Sequence, residues 1–207
     1  MAEPRRGELT IRPLTSAHVD DVKTVTAGTW GATCWDLFPR FTAKQERERG
    51  LIGKGEAPRR AALARLARRR NAPGLIAYRD GQPIGWVSIG ARRDFTRLEV
   101  SRATPPVDDL AVWVIPCITV RRGHRGKGTA IALIRAAVRY AGKHGAPAVE
   151  AYPRTESKRL HDDFAFYGTV AMFRRAGFRK LSGPLSGLPT GWTPRWTMRA
   201  TTAARRS

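Results

Sequence analysis

Short alternating runs of apolar residues open and close this chain, and a helical period takes over between them. Residues 8–13 (ELTIRP) alternate weakly and predict an opening strand. A helix is predicted from Ser16 to Ala27, with Ser16 as its N-cap and Val19, Val22 and Val25 or Thr26 on one face. Residues 28–41 (GTWGATCWDLFPRF) are rich in Gly and aromatics and too irregular for one element. Between Ala57 and Arg70, apolar positions 62, 63, 66 and 67 have helical spacing beneath an Arg-rich outer face. From Gly74 the period becomes two. The runs on either side of Asp80-Gly81 predict a β-hairpin, because that dipeptide accepts the left-handed backbone of a tight turn.

Residues 91–109 are polar and Pro-bearing and predict a loop. AVWVIPCITV (111–120) has the composition of a buried strand, and Pro116 must break or bulge it because proline cannot donate to a sheet ladder. A helix follows from Thr129, with positions 130, 133, 134, 137 and 141 on one face and Gly145 as its stop. AVEAYP (148–153) is a further short strand, 153–166 a polar excursion, and GTVAMFRRAGF (168–178) a helix closed by Gly177, with Phe178 opening a strand. The tail, 183–207, is rich in Gly and Pro until PRWTMRA (194–200), a candidate edge strand. Strand, loop, helix and strand from 111 to 153 favour α/β with a locally parallel pairing. The whole, 1–207, is expected to be a single domain with its core over 8–182.

Composition narrows the class. With 42% hydrophobic and 27% charged residues, 207 residues suffice for a core without metal or disulfide. Two isolated cysteines, Cys34 and Cys117, make neither a disulfide framework nor a four-ligand zinc site, so no metal is expected and a reducing compartment is. No apolar run reaches the roughly 18 residues of a transmembrane span, and the first residues lack a secretory apolar stretch, so a cytoplasmic protein without a membrane partner is expected. The net charge of +21 is unusual, and 31 of the 38 basic residues are Arg. Residues 40–70 alone carry eleven Lys or Arg against three Glu. Such charge suits an anionic partner, or it simply decorates ordinary surface positions.

The chemistry concentrates in VRRGHRGKGTAIAL (120–133). A buried strand ends, a basic Gly-rich turn follows, and a long helix begins, which aims free backbone N–H groups and the positive end of a helix dipole at one point. Gly126 and Gly128 let an anion approach the backbone, and Arg125 and Lys127 add charge. The loop is not a P-loop, since Gly128 follows Gly126-Lys127 where Ser or Thr would hold magnesium. Nor is it a dinucleotide fingerprint, since position 131 is Ile. It does contain R-x-x-G-x-A at Arg125, Gly128 and Ala130, between a hydrophobic strand and a helix. This resembles the acetyl-CoA pyrophosphate loop of the GNAT superfamily of N-acetyltransferases. Ile118-Thr119-Val120 before the loop, AVEAYP after the helix and MFRRAGF further on agree with that family's layout. The resemblance covers 75–182, and the layout is similar to that of actinobacterial-type members.

The resemblance implies an α/β (α+β) GNAT fold: a mixed, mostly antiparallel twisted sheet, flanked by helices and split between its fourth and fifth strands. It implies acetyl-CoA as co-substrate, with the pantetheine arm against Ile118, Thr119 and Val120 and the pyrophosphate held by Arg125, Gly126, Lys127, Gly128, Thr129 and Ala130. An N–H from 118–120 would polarise the thioester carbonyl. Acetyl transfer to a primary amine by direct attack in a ternary complex follows. Where the family often has a tyrosine as general acid, this chain has Phe173, which would then contact the cofactor. Tyr167 takes the acid's place, or the thiolate leaves unassisted.

Among candidate bases, Glu150 lies in a strand beside the expected split, where burial would raise its pKa; the alternative is a carboxylate paired structurally with arginine. Tyr152 is similarly placed and could equally be packing. Cys117 lacks a His and Asp arrangement and reads as a small buried side chain rather than a nucleophile. His124 is either a phosphate contact or a solvated loop residue. Trp30, Trp35 and Phe38 could wall an acceptor pocket or sit in the core. Asp108, Asp109, Asp162 and Asp163 could attract a cationic amine or be solvated loop acids. The expected partners are a small-molecule amine and a second copy of this chain. A protein amine or aminoacyl-tRNA docked on the basic 40–70 face is the alternative acceptor, although no base-stacking aromatics are interleaved with that charge, so nucleic acid is not favoured. A module that binds acyl-CoA or nucleic acid without catalysis is the non-enzymatic alternative.

Overall fold

The computed structural model describes residues 7–155 and 166–202, apart from the side chain of Trp30. Two sheets meet at Pro116. The first has the order β1 (Leu9–Pro13), β2 (Gly74–Arg79), β3 (Gln82–Ser88) and β6 (Ile118–Val120), all antiparallel. The second runs β4 (Gly90–Ala91), β5 (Trp113–Ile115), β7 (Ala148–Ala151), β9 (Thr197–Thr201) and β8 (Arg179–Ser182). The strand expected over 111–120 is therefore two strands in two sheets. Pro116 has no N–H to give to a neighbour, and the chain changes partner there, from β7 to β3. Among the described strands only β5 and β7 pair in parallel, and the crossover between them carries helix α5 (Thr129–Lys143).

The hairpin between β2 and β3 turns at Asp80 and Gly81, with φ of 49° and 73°. The first helical segment departs from expectation at its start. A 3-10 turn, Ser16–His18, leads into α1 (Val19–Thr26), and Thr15 takes the N-cap place expected for Ser16, its Oγ1 2.8 Å from His18 Nδ1. Helix α2 (Ala43–Glu48), opened by a capping box between Thr42 and Gln45, lies in a stretch that showed no periodicity. Helix α3 (Ala57–Ala67) buries Ala62 and Leu63. The loop expected over 91–109 includes a short helix, α4 (Thr96–Glu99).

The C-terminal strand corrects a second expectation. β9 is not at an edge: it pairs with β7 on one side and β8 on the other, and Thr197, Met198 and Ala200 are buried. The core thus continues past 182. Alternation along the strands, offset at Ile84 by the bulge that the β2–β3 ladder makes between Ala77 and Tyr78, separates two packing faces. Leu75, Ala77, Ile84 and Val87 pack with Leu133, Ile134 and Ala137 of α5, whereas Ile76 and Trp86 face Val22, Val25 and Leu63 of α1 and α3. The sheets are thereby clamped between helices, with the gap beyond β6 left at their junction.

Candidate functional site

The gap becomes a site because of which backbone groups the split leaves over. In the β3–β6 ladder, Ser88 donates to Cys117 O at 2.9 Å and Arg121 donates to Ile84 O at 2.9 Å. Antiparallel pairing alternates, so Cys117, Thr119 and Arg121 point their backbone groups at β3, while Ile118 and Val120 point theirs away. The Val120 carbonyl accepts from Arg125 Nε at 2.8 Å. The outward N–H groups of Ile118 and Val120 lie along a strand edge to which β7 does not pair.

The turn that follows carries three left-handed glycines, Gly123, Gly126 and Gly128, with φ of 85°, 75° and 79°. A Cβ at Gly126 or Gly128 would meet no heavy atom within 4 Å, so both open on free space. Gly128 is also the N-cap of α5 and offers no side chain to its first amides. The Oγ1 of Thr129 and the Nδ1 of His124 are buried here and have no hydrogen-bond partner among the described residues. Free amides, two orphaned polar atoms and the Arg125 guanidinium form a cradle for a phosphate-bearing group.

A cavity of about 390 Å³ starts at this cradle, follows β6 past Pro116 and Cys117, and ends against α1, the 28–41 segment and β3. Of the residues expected to hold the cofactor, Ile118, Thr119, Val120, Arg125, Gly126, Gly128, Thr129 and Ala130 all line it. Lys127 is exposed and does not line it. Phe173 does not either. It is fully buried in helix α6 (Val170–Arg175), its ring 5.0 Å from that of Phe178, and it is core rather than cofactor surface. The neighbours that α6 presents to the cavity are Met172 and Arg175.

Tyr167 lines the cavity. The Arg195 guanidinium lies 3.5 Å from its ring centroid, and Phe166 stacks at 4.1 Å. Burial pushes the Tyr167 phenol up, with Arg195 acting against that rise. Phe38 also lines the cavity, under the Arg97 guanidinium at 4.0 Å, but Trp35 is core. Cys34 and Cys117 line it as free thiols. Burial raises both, Cys34 to about 11, which disfavours the thiolate a nucleophile needs.

Glu150 and Tyr152 are absent from the cavity wall. Both face the opposite side of β7, where Phe95, Leu98 and Val114 pack around Tyr152. Glu150 Oε1 accepts from Arg199 at 2.6 Å and Oε2 from the Tyr152 hydroxyl at 2.6 Å, and Tyr152 in turn accepts from Arg92 at 2.5 Å. Arg199 also pairs with Asp108 at 2.6 Å. Both carboxylate oxygens are thus satisfied in a structural network, which also accounts for Asp108. Burial, then the Glu150 charge, push the Tyr152 phenol well up. Asp109 is exposed and off the cavity, and Asp162 and Asp163 lie outside the described residues.

One cavity residue escaped the sequence reading. Asp36 is 5% exposed and is the only acidic residue lining the cavity among the described ones. It sits with Trp35 in left-handed backbone, at φ of 59° and 50°. A carboxylate among aromatics with Arg40 one helical turn on was the available signal.

The sequence matches the family model described as Acetyltransferase (GNAT) family over residues 35–166. Among curated proteins, none matches the chain significantly. In structure it is similar to a GNAT-family acetyltransferase from Streptococcus pneumoniae at 16% identity and a TM-score of 0.55, covering 95% of this chain and 100% of that one. An N-acetyltransferase from Staphylococcus aureus Mu50 gives 13% and 0.57 over 95% and 99%. The PaiA N-acetyltransferase from Thermoplasma acidophilum, in complex with coenzyme A, gives 12% and 0.53 over 94% and 99%.

Proposed function

The chain belongs to the acetyltransferase (GNAT) family, and on that premise we propose that it moves the acetyl group of acetyl-CoA to the primary amine of a small molecule, by direct attack within a ternary complex. Acetyl-CoA is the co-substrate of this family's acyl transfer. The observation that carries the finer reading is the single cavity joining the glycine cradle to a recess beneath α1. One end suits a diphosphate. The other is walled by side chains such as Thr29, Phe38 and Trp86, which suits a compact acceptor better than a polypeptide or a tRNA end.

In this reading the amides of the turn and of the first turn of α5, with Thr129, His124 and Arg125, hold the pyrophosphate. The outward N–H of Ile118 hydrogen-bonds the thioester carbonyl, whose oxygen gains charge as nitrogen attacks. The Thr119 amide is not available for this, being turned to β3. Holding amine and thioester in one cavity supplies much of the rate. As the C–N bond forms the C–S bond breaks, and sulfur takes a proton. Tyr167 is the donor, kept in its phenol form by burial.

A thiol-release assay with acetyl-CoA against aliphatic, aromatic and amino-sugar primary amines tests this, alongside calorimetry with CoA. Micromolar CoA binding with amine-dependent release is expected. Binding without release on any amine, but with release on a peptide or aminoacyl-tRNA, would sink the small-molecule reading.

A further inference from the structure

The acceptor amine arrives as an ammonium ion and must lose a proton before it can attack, so something in the cavity has to receive that proton. Glu150 cannot, because it lies behind β7 with both oxygens occupied. Among the described residues, the wall of the cavity offers two basic side chains, Arg125 and Arg175, together with His124 in the cradle and two thiols whose pKa burial raises. The remaining titratable groups among the described residues that line it are Tyr167 and Asp36.

Asp36 has two unequal oxygens. Oδ2 accepts from Ser88 Oγ at 2.7 Å and from Arg40 Nε at 3.2 Å, and Arg40 Nη2 is 3.1 Å away. Among the described residues, Oδ1 has only a long contact from Trp86 Nε1, at 3.4 Å. One oxygen is anchored to β3 and Arg40, and the other keeps accepting capacity in a residue that lines the cavity. Its position along the cavity also fits. Asp36 is near enough to Cys117 for its charge to push that thiol up further, and Cys117 immediately precedes the outward Ile118 amide.

We infer that Asp36, through Oδ1, is the group that takes the proton from the acceptor ammonium, and that it draws cationic amines to this end of an otherwise basic cavity. The inference rests on the acetyl-transfer reading above. R–NH3⁺ gives one proton to Oδ1, and the neutral nitrogen bonds to the acetyl carbon as the C–S bond breaks. Sulfur takes the Tyr167 proton. The second proton of nitrogen returns to the phenolate through solvent, and Asp36 releases its own to solvent, so one proton is released per amide formed. Burial holds the Asp36 carboxyl above the ordinary aspartate range, against Arg40 and Ser88, which favour its ionised form. Among the described residues, the charged and titratable groups facing it are Arg40 from its own segment, Cys34, and Cys117 across the cavity. β3 contributes the uncharged Ser88 and Trp86.

The test is kcat against pH for wild type, Ser88→Ala and Asp36→Asn, using the fastest amine of the panel, with CoA affinity by calorimetry for each. In wild type kcat falls at low pH as Asp36 protonates. Ser88→Ala removes a donor to the ionised form, so the acidic limb moves to higher pH. Asp36→Asn lowers kcat on the order of 100-fold and flattens that limb while CoA still binds. If Asp36→Asn fails to fold, the shift in Ser88→Ala carries the test. A limb that stays in place in Ser88→Ala, or an Asp36→Asn enzyme that binds CoA and keeps its rate, overturns the inference while leaving acetyl transfer standing. Wild type that does not bind CoA overturns the acetyl-transfer reading itself.

Discussion

Two side chains two positions apart, one in β7 and one just past its end, show how a residue's surroundings decide its task. Glu150 and Tyr152 look reactive in sequence, yet each is held by partners that leave nothing to offer a substrate. Glu150→Gln removes the charge that Arg199 and Tyr152 answer, in a side chain only 2% exposed. The expected loss is about 2 kcal/mol, or roughly 5 °C in Tm for a chain of this size, with kcat unchanged. Thermal denaturation beside the thiol-release assay checks it, and a lost rate at unchanged Tm would return Glu150 to the reaction. Tyr167→Phe should do the reverse. It removes a hydroxyl at the cavity wall, so kcat should fall about tenfold or more with CoA affinity and Tm kept. An unchanged kcat would mean that the thiolate leaves without a protein acid.

The elements show what periodicity can and cannot carry. The face of α5 was legible, because Leu133, Ile134, Ala137 and Ala141 repeat at helical spacing and all are buried. The hairpin was legible from Asp80-Gly81, and the broken strand from Pro116. The cavity-lining turn was legible because glycines and cations there have few other uses. The edge assigned to β9 was not, since seven mixed residues look alike whether one side is paired or both. Asp36 was hidden because it belongs to no periodic element: its partner Ser88 is 52 positions away, a contact that only the fold makes. Packing of α5 on β3 can be tested at Gly85. A Cβ there would lie 2.8 Å from Leu133 Cδ1 and 3.3 Å from Thr129 Cγ2. Gly85→Ala should therefore cost about 1–2 kcal/mol and weaken CoA binding, because the displaced residue, Thr129, opens the helix that faces the cradle. Unchanged CoA affinity by calorimetry in a folded variant would show that the N-terminus of α5 is not part of the cofactor grip.

At the scale of the whole molecule, charge is the outstanding quantity, and it bears on stability and binding in opposite directions. A net +21 spread over 207 residues repels itself, and the exposed ion pairs, such as Arg60 with Asp20 at 2.6 Å, offset little of it. The same positive field surrounds a cradle meant for an anion. Raising NaCl from about 50 to about 500 mM shortens the screening length from roughly 14 to roughly 4 Å. Self-repulsion should then weaken and Tm rise by a few degrees, while CoA affinity falls on the order of tenfold as the attraction of its phosphates is screened. The two responses separate long-range charge from local structure. If Tm falls with salt, the paired charges outweigh the repulsion and the surplus arginines are structurally neutral. If CoA affinity is indifferent to salt, the grip resides in the amides and hydroxyl of the turn, and the cations around it serve some other contact.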